Sequence, residues 1–319
     1  MSDPLIRVSG LCRDFVIKGK AGRKQNLHAV SDVSFDIHAG ETLGLVGESG
    51  SGKSTIGRMI VGLLPPTKGR IDLFGEDITA RDGKRALGRV RHRLQFVFQD
   101  PHAAMNPRMR ISDVIAEPMD TRGGWTRKDR ADRVAELLDL VGLSASFADR
   151  FPHEFSGGQR QRIVIARALA LDPDFIVCDE AVAALDVSMQ AQVINLLMDL
   201  QDRLGLSYLF IAHDLAVVRA VAHRVAVLYA GEIVELSDKS ALYEDPKHPY
   251  TQALLAAIPR PVVGERAAAI KGEVPSLLNR PAGCSLCPRC PHAFDRCRVE
   301  APRLRDIGNG RQVACHLYE

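Results

Sequence analysis

The residues best suited to chemistry are Gly47-Glu48-Ser49-Gly50-Ser51-Gly52-Lys53-Ser54-Thr55. They fit G-x-x-x-x-G-K-[ST], the phosphate-binding loop of a large class of nucleotide hydrolases. Glycines at that spacing let backbone N–H groups close around phosphate oxygens. A helix N-terminus behind them adds positive potential. Lys53 supplies a point charge for the β- and γ-phosphates, and Ser54 offers its hydroxyl to Mg²⁺.

Four further stretches carry chemical groups. Phe175 to Cys178 (FIVC) reads as a buried strand running into Asp179-Glu180, two acids at a strand end. Alone, such a pair also suits a strand-end turn; beside a phosphate loop, Asp179 suits Mg²⁺ coordination and Glu180 suits polarising an attacking water. Ser207 to Ala212 (SYLFIA) ends in His213, which is either structural or a contact for the γ-phosphate. Leu94 to Gln99 (LQFVFQ) is an apolar strand ending in the polar Gln99. In Ser156-Gly157-Gly158-Gln159 the serine is an N-cap and the glycines open a helix, giving a second candidate anion site.

These groups need elements to hold them. Thr42 to Val46 reads as a buried strand before the loop, and Ser54 to Leu64 as a helix that stops at Pro65-Pro66. Residues 5–40 read as β-rich, with LIRVSGL and VSFDI joined by a polar loop from Lys18 to Asn26. Phe15, placed just after the first strand, admits two readings: a ring that stacks on adenine, or a core phenylalanine. Gly69 to Thr79 reads as two short strands. PHAAMNPRMRISDVIAEPM has little regular periodicity and reads as a loop leading into helices. Thr126 to Gly142 and Asp186 to Leu204 have helical spacing, and Val225 to Leu236 reads as a closing hairpin. Strands and helices alternate through the middle, so the expected core is α/β, with a helical subdomain inserted at about 100–170.

Composition is that of an ordinary globular chain: 319 residues, 46% hydrophobic and 25% charged. No apolar run reaches the ~20 residues of a membrane helix, and MSDPLIRVSG lacks a signal-peptide core, so a cytoplasmic location is expected. A net charge of +3 gives no argument for nucleic acid as a partner. The locally basic run Lys84 to Arg93 suits a solvated face. Of seven cysteines, Cys284, Cys287, Cys290, Cys297 and Cys315 crowd the C-terminal end. Without an oxidising compartment, that clustering points to metal more than to disulfides.

GESGSGKST, Gln99, SGGQ, FIVCDE and His213, in this order, resemble the nucleotide-binding subunit of ATP-binding-cassette transporters over about residues 5–260. FQDPHAAMNPRM and His248-Pro249-Tyr250-Thr251-Gln252-Ala253-Leu254-Leu255 resemble its oligopeptide/dipeptide importer branch. The resemblance implies a P-loop NTPase core with a helical and an antiparallel β subdomain over residues 1–245. It also implies a small Cys-rich C-terminal extension over 246–319. It implies an ATPase of the translocase class that powers uptake of peptides or a related small solute from the cytoplasmic face of the inner membrane, bound there peripherally. By the same resemblance, Gly47 to Thr55 hold the phosphates of ATP, and Phe15 stacks on adenine. Gln99, Ser54 and Asp179 serve Mg²⁺, Glu180 is the base, and His213 meets the γ-phosphate. Ser156, Gly157, Gly158 and Gln159 bind the ATP held by a second ATPase subunit, a paralogue or a second copy. Two permease subunits and, indirectly, an extracytoplasmic solute-binding protein complete the implied assembly. Ala181 and Ala183 depart from the family, which has proline and serine there. The rival expectations are a non-transport cassette ATPase and a redox-sensing regulator.

Cys284, Cys290, Cys297 and Cys315, spaced C-x5-C-x6-C-x17-C, resemble the tail of the same importers. Three outcomes stay open for it: a [4Fe–4S] cluster, Zn²⁺ in a Cys₄ site, or thiols that merely pack.

Overall fold

The computed structural model describes residues 3–18, 24–258, 272, 275–278 and 280–319. Two sheets are formed among these residues. The larger has eight strands. Its centre is parallel and built from β3 (Thr42–Val46), β6 (Leu94–Val97), β7 (Phe175–Asp179), β8 (Ser207–Ala212) and β9 (Arg224–Tyr229). β10 (Glu232–Asp238) turns back antiparallel on β9, and the short β11 (Arg305–Asp306) and β12 (Gln312–Val313) extend that edge. The smaller sheet is antiparallel and comprises β1 (Ile6–Lys18), β2 (Lys24–Ile37), β4 (Lys68–Leu73) and β5 (Glu76–Asp77).

The parallel strands are apolar on both faces because both faces are covered. Leu43, Leu45, Phe175, Val177, Leu209 and Ile211 pack with α1 (Lys53–Ile60) and the smaller sheet. The alternate residues, among them Ile176, Cys178, Tyr208 and Phe210, face the helical side. That side is formed by α3 (Pro101–Ala104), α4 (Ile111–Arg122), α5 (Arg127–Leu140), α6 (Gly157–Ala168), α7 (Val187–Leu204) and α8 (Leu215–Val221). α2 (Gly83–Val90) buries Ala86 and Val90 and leaves Lys84, Arg85 and Arg89 exposed. Among the described residues, no helix is long and apolar enough to cross a membrane.

Three local expectations need correction. The first strand pair continues much further than expected, with Lys18 opposite Lys24, so Asn26 is in a strand and Phe15 lies inside β1. Residues 19–23 of the expected polar loop fall outside the described residues. The segment that looked aperiodic contains α4, which runs through Pro118. Ile111, Val114, Ile115 and Met119 are all buried on one face, and that packing offsets the hydrogen bond which proline deletes. Finally, α1 ends at Ile60 rather than Leu64, where Gly62 adopts φ 71°.

The C-terminal end folds back on the core. α9 (Lys239–Glu244) and α10 (Pro249–Ala256) follow β10, and α11 (Asp295–Val299) precedes the tail strands. His248 caps α10 by accepting the Tyr250 N–H at 3.2 Å.

Candidate functional site: a phosphate loop ringed by strand ends

β3 is buried at all five positions and delivers the chain into Gly47. The turn there tolerates only glycine, because a Cβ on Gly47 would collide with the carbonyl of Leu228. Gly52 opens α1 at φ 106°, and a Cβ there would lie 2.5 Å from the Ala29 carbonyl oxygen. No side chain caps α1, so its first N–H groups face the loop. Ser51 Oγ is buried with no hydrogen-bond partner among the described residues. Lys53 Nζ donates to the carbonyls of Gly47 (2.8 Å) and Glu48 (3.0 Å) and so arches over the loop. Burial pushes its pKa down, against the pull of Glu180, Asp179 and Glu48. Bare N–H groups, an orphaned hydroxyl and a desolvated ammonium make an anion cradle that suits the phosphates of ATP.

Asp179 ends β7 and accepts a 2.7 Å hydrogen bond from Ser54 Oγ. Burial raises its pKa, while the Ser54 hydroxyl, Arg58 and Lys53 oppose that rise. Glu180 follows in a left-handed conformation, φ 49°, which a non-glycine residue adopts at a cost of about 1–3 kcal/mol. Its N–H bonds to the Ile211 carbonyl (2.9 Å), tying the end of β7 to β8. Gln99 Nε2, just past β6, donates to Glu180 Oε2 at 2.7 Å. His213 Nδ1, just past β8, lies 3.8 Å from Glu180 Oε1. Three parallel strand ends thus gather Gln99, Asp179, Glu180 and His213 at the mouth of the loop. Ser54 and Asp179 present the oxygen donors a hard cation prefers, and the residues fit Mg²⁺.

The other sequence-predicted residues lie elsewhere. Ser156 caps α6 in a capping box: its hydroxyl accepts the Gln159 N–H (3.3 Å) and its N–H donates to Gln159 Oε1 (3.0 Å). Gly158 lies so close to Met189 on α7 that a Cβ would approach Met189 Cε at 2.6 Å. Ser156 and Gly157 are exposed. Among the described residues, no hydrogen bond or ion pair joins 156–159 to 47–55. Phe15 stands on β1 opposite Leu27, half-buried, with the Arg13 guanidinium 4.7 Å from its ring centroid. Ala181 is buried in the helical-side core, and Ala183 donates its N–H to the Glu180 carbonyl (3.0 Å). Asp186 caps α7 through the Met189 N–H (2.9 Å).

Sequence reasoning missed Arg58. It sits one helical turn after Ser54, so an i, i+4 reading of α1 would have placed it beside that serine, and the fold brings it to Asp179. With Ser54, Gln99, Met105, Glu117 and Asp179 it lines a cleft of about 650 Å³ between the nucleotide side and the helical subdomain. Tyr250 and Arg289, which both touch Glu48, were missed as well. They are 202 and 241 positions from Glu48, and the motif that contains Tyr250 marks the C-terminal extension without linking it to the loop.

The tail was expected to hold a [4Fe–4S] cluster, Zn²⁺ or packed thiols. Cys284, Cys287, Cys290, Cys297 and Cys315 line one small pocket with His316. Among the described residues, however, no three His, Cys, Asp or Glu side chains are grouped to hold a metal. Burial pushes the Cys284 thiol up to about 11 and raises those of Cys290 and Cys315.

Comparison with known proteins places this geometry among relatives. Residues 30–183 match the family described as "ABC transporter", and residues 234–297 match "Oligopeptide/dipeptide transporter, C-terminal region". A putative peptide import ATP-binding protein of Brucella abortus (strain 2308) is 65% identical over 317 residues, 99% of this chain and 95% of that protein. An oligopeptide transport ATP-binding protein of Bacillus subtilis (strain 168) is 50% identical over 297 residues, covering 92% of this chain and 90% of its own. Among solved structures, an ATP-binding cassette captured as a dimer in a post-hydrolysis state with ADP and phosphate superposes with a TM-score of 0.65. It has 29% sequence identity and covers 73% of this chain and 98% of that one. None of these three is described as a repair, translation or redox-regulatory protein.

Proposed function

The chain belongs to the ATP-binding subunits of ABC transporters, and from that premise we propose that it hydrolyses ATP at the Gly47–Thr55 loop to drive import of peptides or a related small solute. The observation that carries the chemistry is the convergence on Glu180, with Gln99 at 2.7 Å and His213 at 3.8 Å beside the Ser54–Asp179 pair. Lys53 and the α1 N–H groups hold the phosphates. Mg²⁺, when bound at Ser54 and Asp179, offsets triphosphate charge. Glu180 takes a proton from the attacking water, Gln99 orients that water, and His213 donates to the γ-phosphate. Phe15 offers a ring face to adenine.

Ser156 and Gly157 lie exposed at a helix N-terminus, and among the described residues no hydrogen bond or ion pair joins 156–159 to their own phosphate loop. In this proposal they complete the ATP site of a second ATPase subunit, a paralogue or a second copy. The cleft lined by Gln99, Met105 and Glu117 receives one of two permease subunits, so Gln99 reports the nucleotide state to the membrane. The solute itself is chosen by those permeases and an extracytoplasmic binding protein. The chain acts peripherally at the cytoplasmic face of the inner membrane. The peptide class rests on the relatives' description as peptide and oligopeptide import proteins and on the C-terminal match. Uptake of labelled peptides by cells with and without this chain tests it.

Glu180→Gln should lower ATP turnover by at least about 100-fold while ATP binding persists. It should also trap an ATP-bound dimer visible by size-exclusion chromatography. Unchanged turnover would defeat the assignment. For the tail, the convergence of five cysteines on one pocket supports a [4Fe–4S] cluster, with zinc as runner-up. Against both stands the lack, among the described residues, of three or more His, Cys, Asp or Glu side chains grouped to hold a metal. Anaerobically purified protein should contain iron and acid-labile sulfide, and a colourless preparation free of iron and zinc removes the proposal.

A further inference from the structure

We infer that Arg289 and Tyr250, both from the C-terminal extension, are positioning residues of the phosphate loop that set its affinity for ATP by holding Glu48. The inference rests on the reading of Gly47–Thr55 as the ATP site. Glu48 follows directly on Gly47 within the loop; its carbonyl accepts from Lys53 Nζ at 3.0 Å, and its carboxylate is close enough to that ammonium to act on it electrostatically. An unpaired carboxylate there repels the ligand and is free to swing toward it. Arg289 Nη1 and Nη2 donate to the two Glu48 oxygens at 3.2 and 3.3 Å. Nη1 also donates to the Tyr229 hydroxyl at 3.2 Å. The Arg289 side chain is only 7% exposed, against 30% for Glu48, so the pair is poorly screened. The Glu48 main chain is held too, its N–H donating to the Tyr250 hydroxyl at 3.0 Å. Tyr250 is fully buried against Tyr229, their ring centroids 4.6 Å apart. The loop's one carboxylate and its N–H are therefore held by residues 241 and 202 positions away.

The other end of the loop is braced from the same extension. His28 N–H donates to the Leu277 carbonyl at 3.1 Å, and Arg280 Nη2 donates to the carbonyls of His28 and Ala230. The next residue, Ala29, carries the carbonyl that packs over Gly52. Arg289 itself ends a tight turn held by Cys287 N–H to the Cys284 carbonyl (3.0 Å) and Arg289 N–H to the Leu286 carbonyl (2.8 Å). By reciprocity, whatever orders that turn strengthens ATP binding by the same factor with which ATP orders the turn.

Titration with trinitrophenyl-ATP, displaced by ATP, tests this on the full chain. The wild type should bind and Lys53→Ala should not; if the two behave alike, the phosphate-loop reading itself is wrong. Arg289→Gln should weaken binding roughly tenfold, the scale expected for unpairing one partly buried charge, and Tyr250→Phe by a smaller factor. Removing the repelling charge should undo the damage, so Arg289→Gln in a Glu48→Gln background should bind within about twofold of Glu48→Gln alone. Wild-type affinity in Arg289→Gln overturns the inference. So does a loss that persists undiminished in the Glu48→Gln background, because that marks a structural role only.

Discussion

Gly52 and Glu180 show how single residues decide the site. Both hold positive φ, 106° and 49°, but only one is a glycine. At Gly52 a side chain would meet the Ala29 carbonyl at 2.5 Å, so the position admits no Cβ. Gly52→Ala should destabilise the fold by about 1–3 kcal/mol, read as a lower urea midpoint, and abolish nucleotide binding. At Glu180 the strain is retained, with Gln99 and the Ile211 carbonyl holding the side chain and the main chain on either side. The glycine requirement was legible from motif spacing. The strain at Glu180 was not, because it arises from three strands ending at one level.

At the scale of elements, α6 illustrates a helix start with two separable duties. Ser156 caps it, and a lost serine cap costs about 1 kcal/mol with alanine but only a few tenths with glycine. Ser156→Ala and Ser156→Gly should therefore differ in thermal stability. Both lack the hydroxyl that we assign to the partner's ATP, so turnover should fall equally in the two. Turnover that tracks stability instead would leave Ser156 as a cap alone. The Ser156 cap was readable in SGGQ because capping is a local hydrogen bond between near neighbours; the structure adds Thr126 and Asp186 as caps of α5 and α7. α4 was not readable. Pro118 argued against a helix, and only the helical-side core, which buries Ile111, Val114, Ile115 and Met119, overrules it. The continuation of β1 to Lys18 was missed for a similar reason: cross-strand pairing with Lys24 compensates for a polar sequence.

At the scale of the whole molecule, three regions each carry part of the proposed ATP chemistry. The parallel sheet delivers Gly47, Asp179 and His213; the helical side holds the exposed Ser156; the C-terminal extension grips Glu48. That extension also continues the large sheet, since Val313 pairs with Glu235 on β10. The amino-acid sequence by itself determined the phosphate loop, the α/β alternation, the acids after β7 and the Ser156 cap. Each depends on spacing within a few residues, where backbone geometry leaves little choice. Tertiary structure alone decided that Gln99 and His213 meet at Glu180, that Arg58 faces the acids, and that Arg289 and Tyr250 secure the loop. Those contacts join residues from 33 to 241 positions apart. The pattern of one segment carries no record of which distant segment will pack against it.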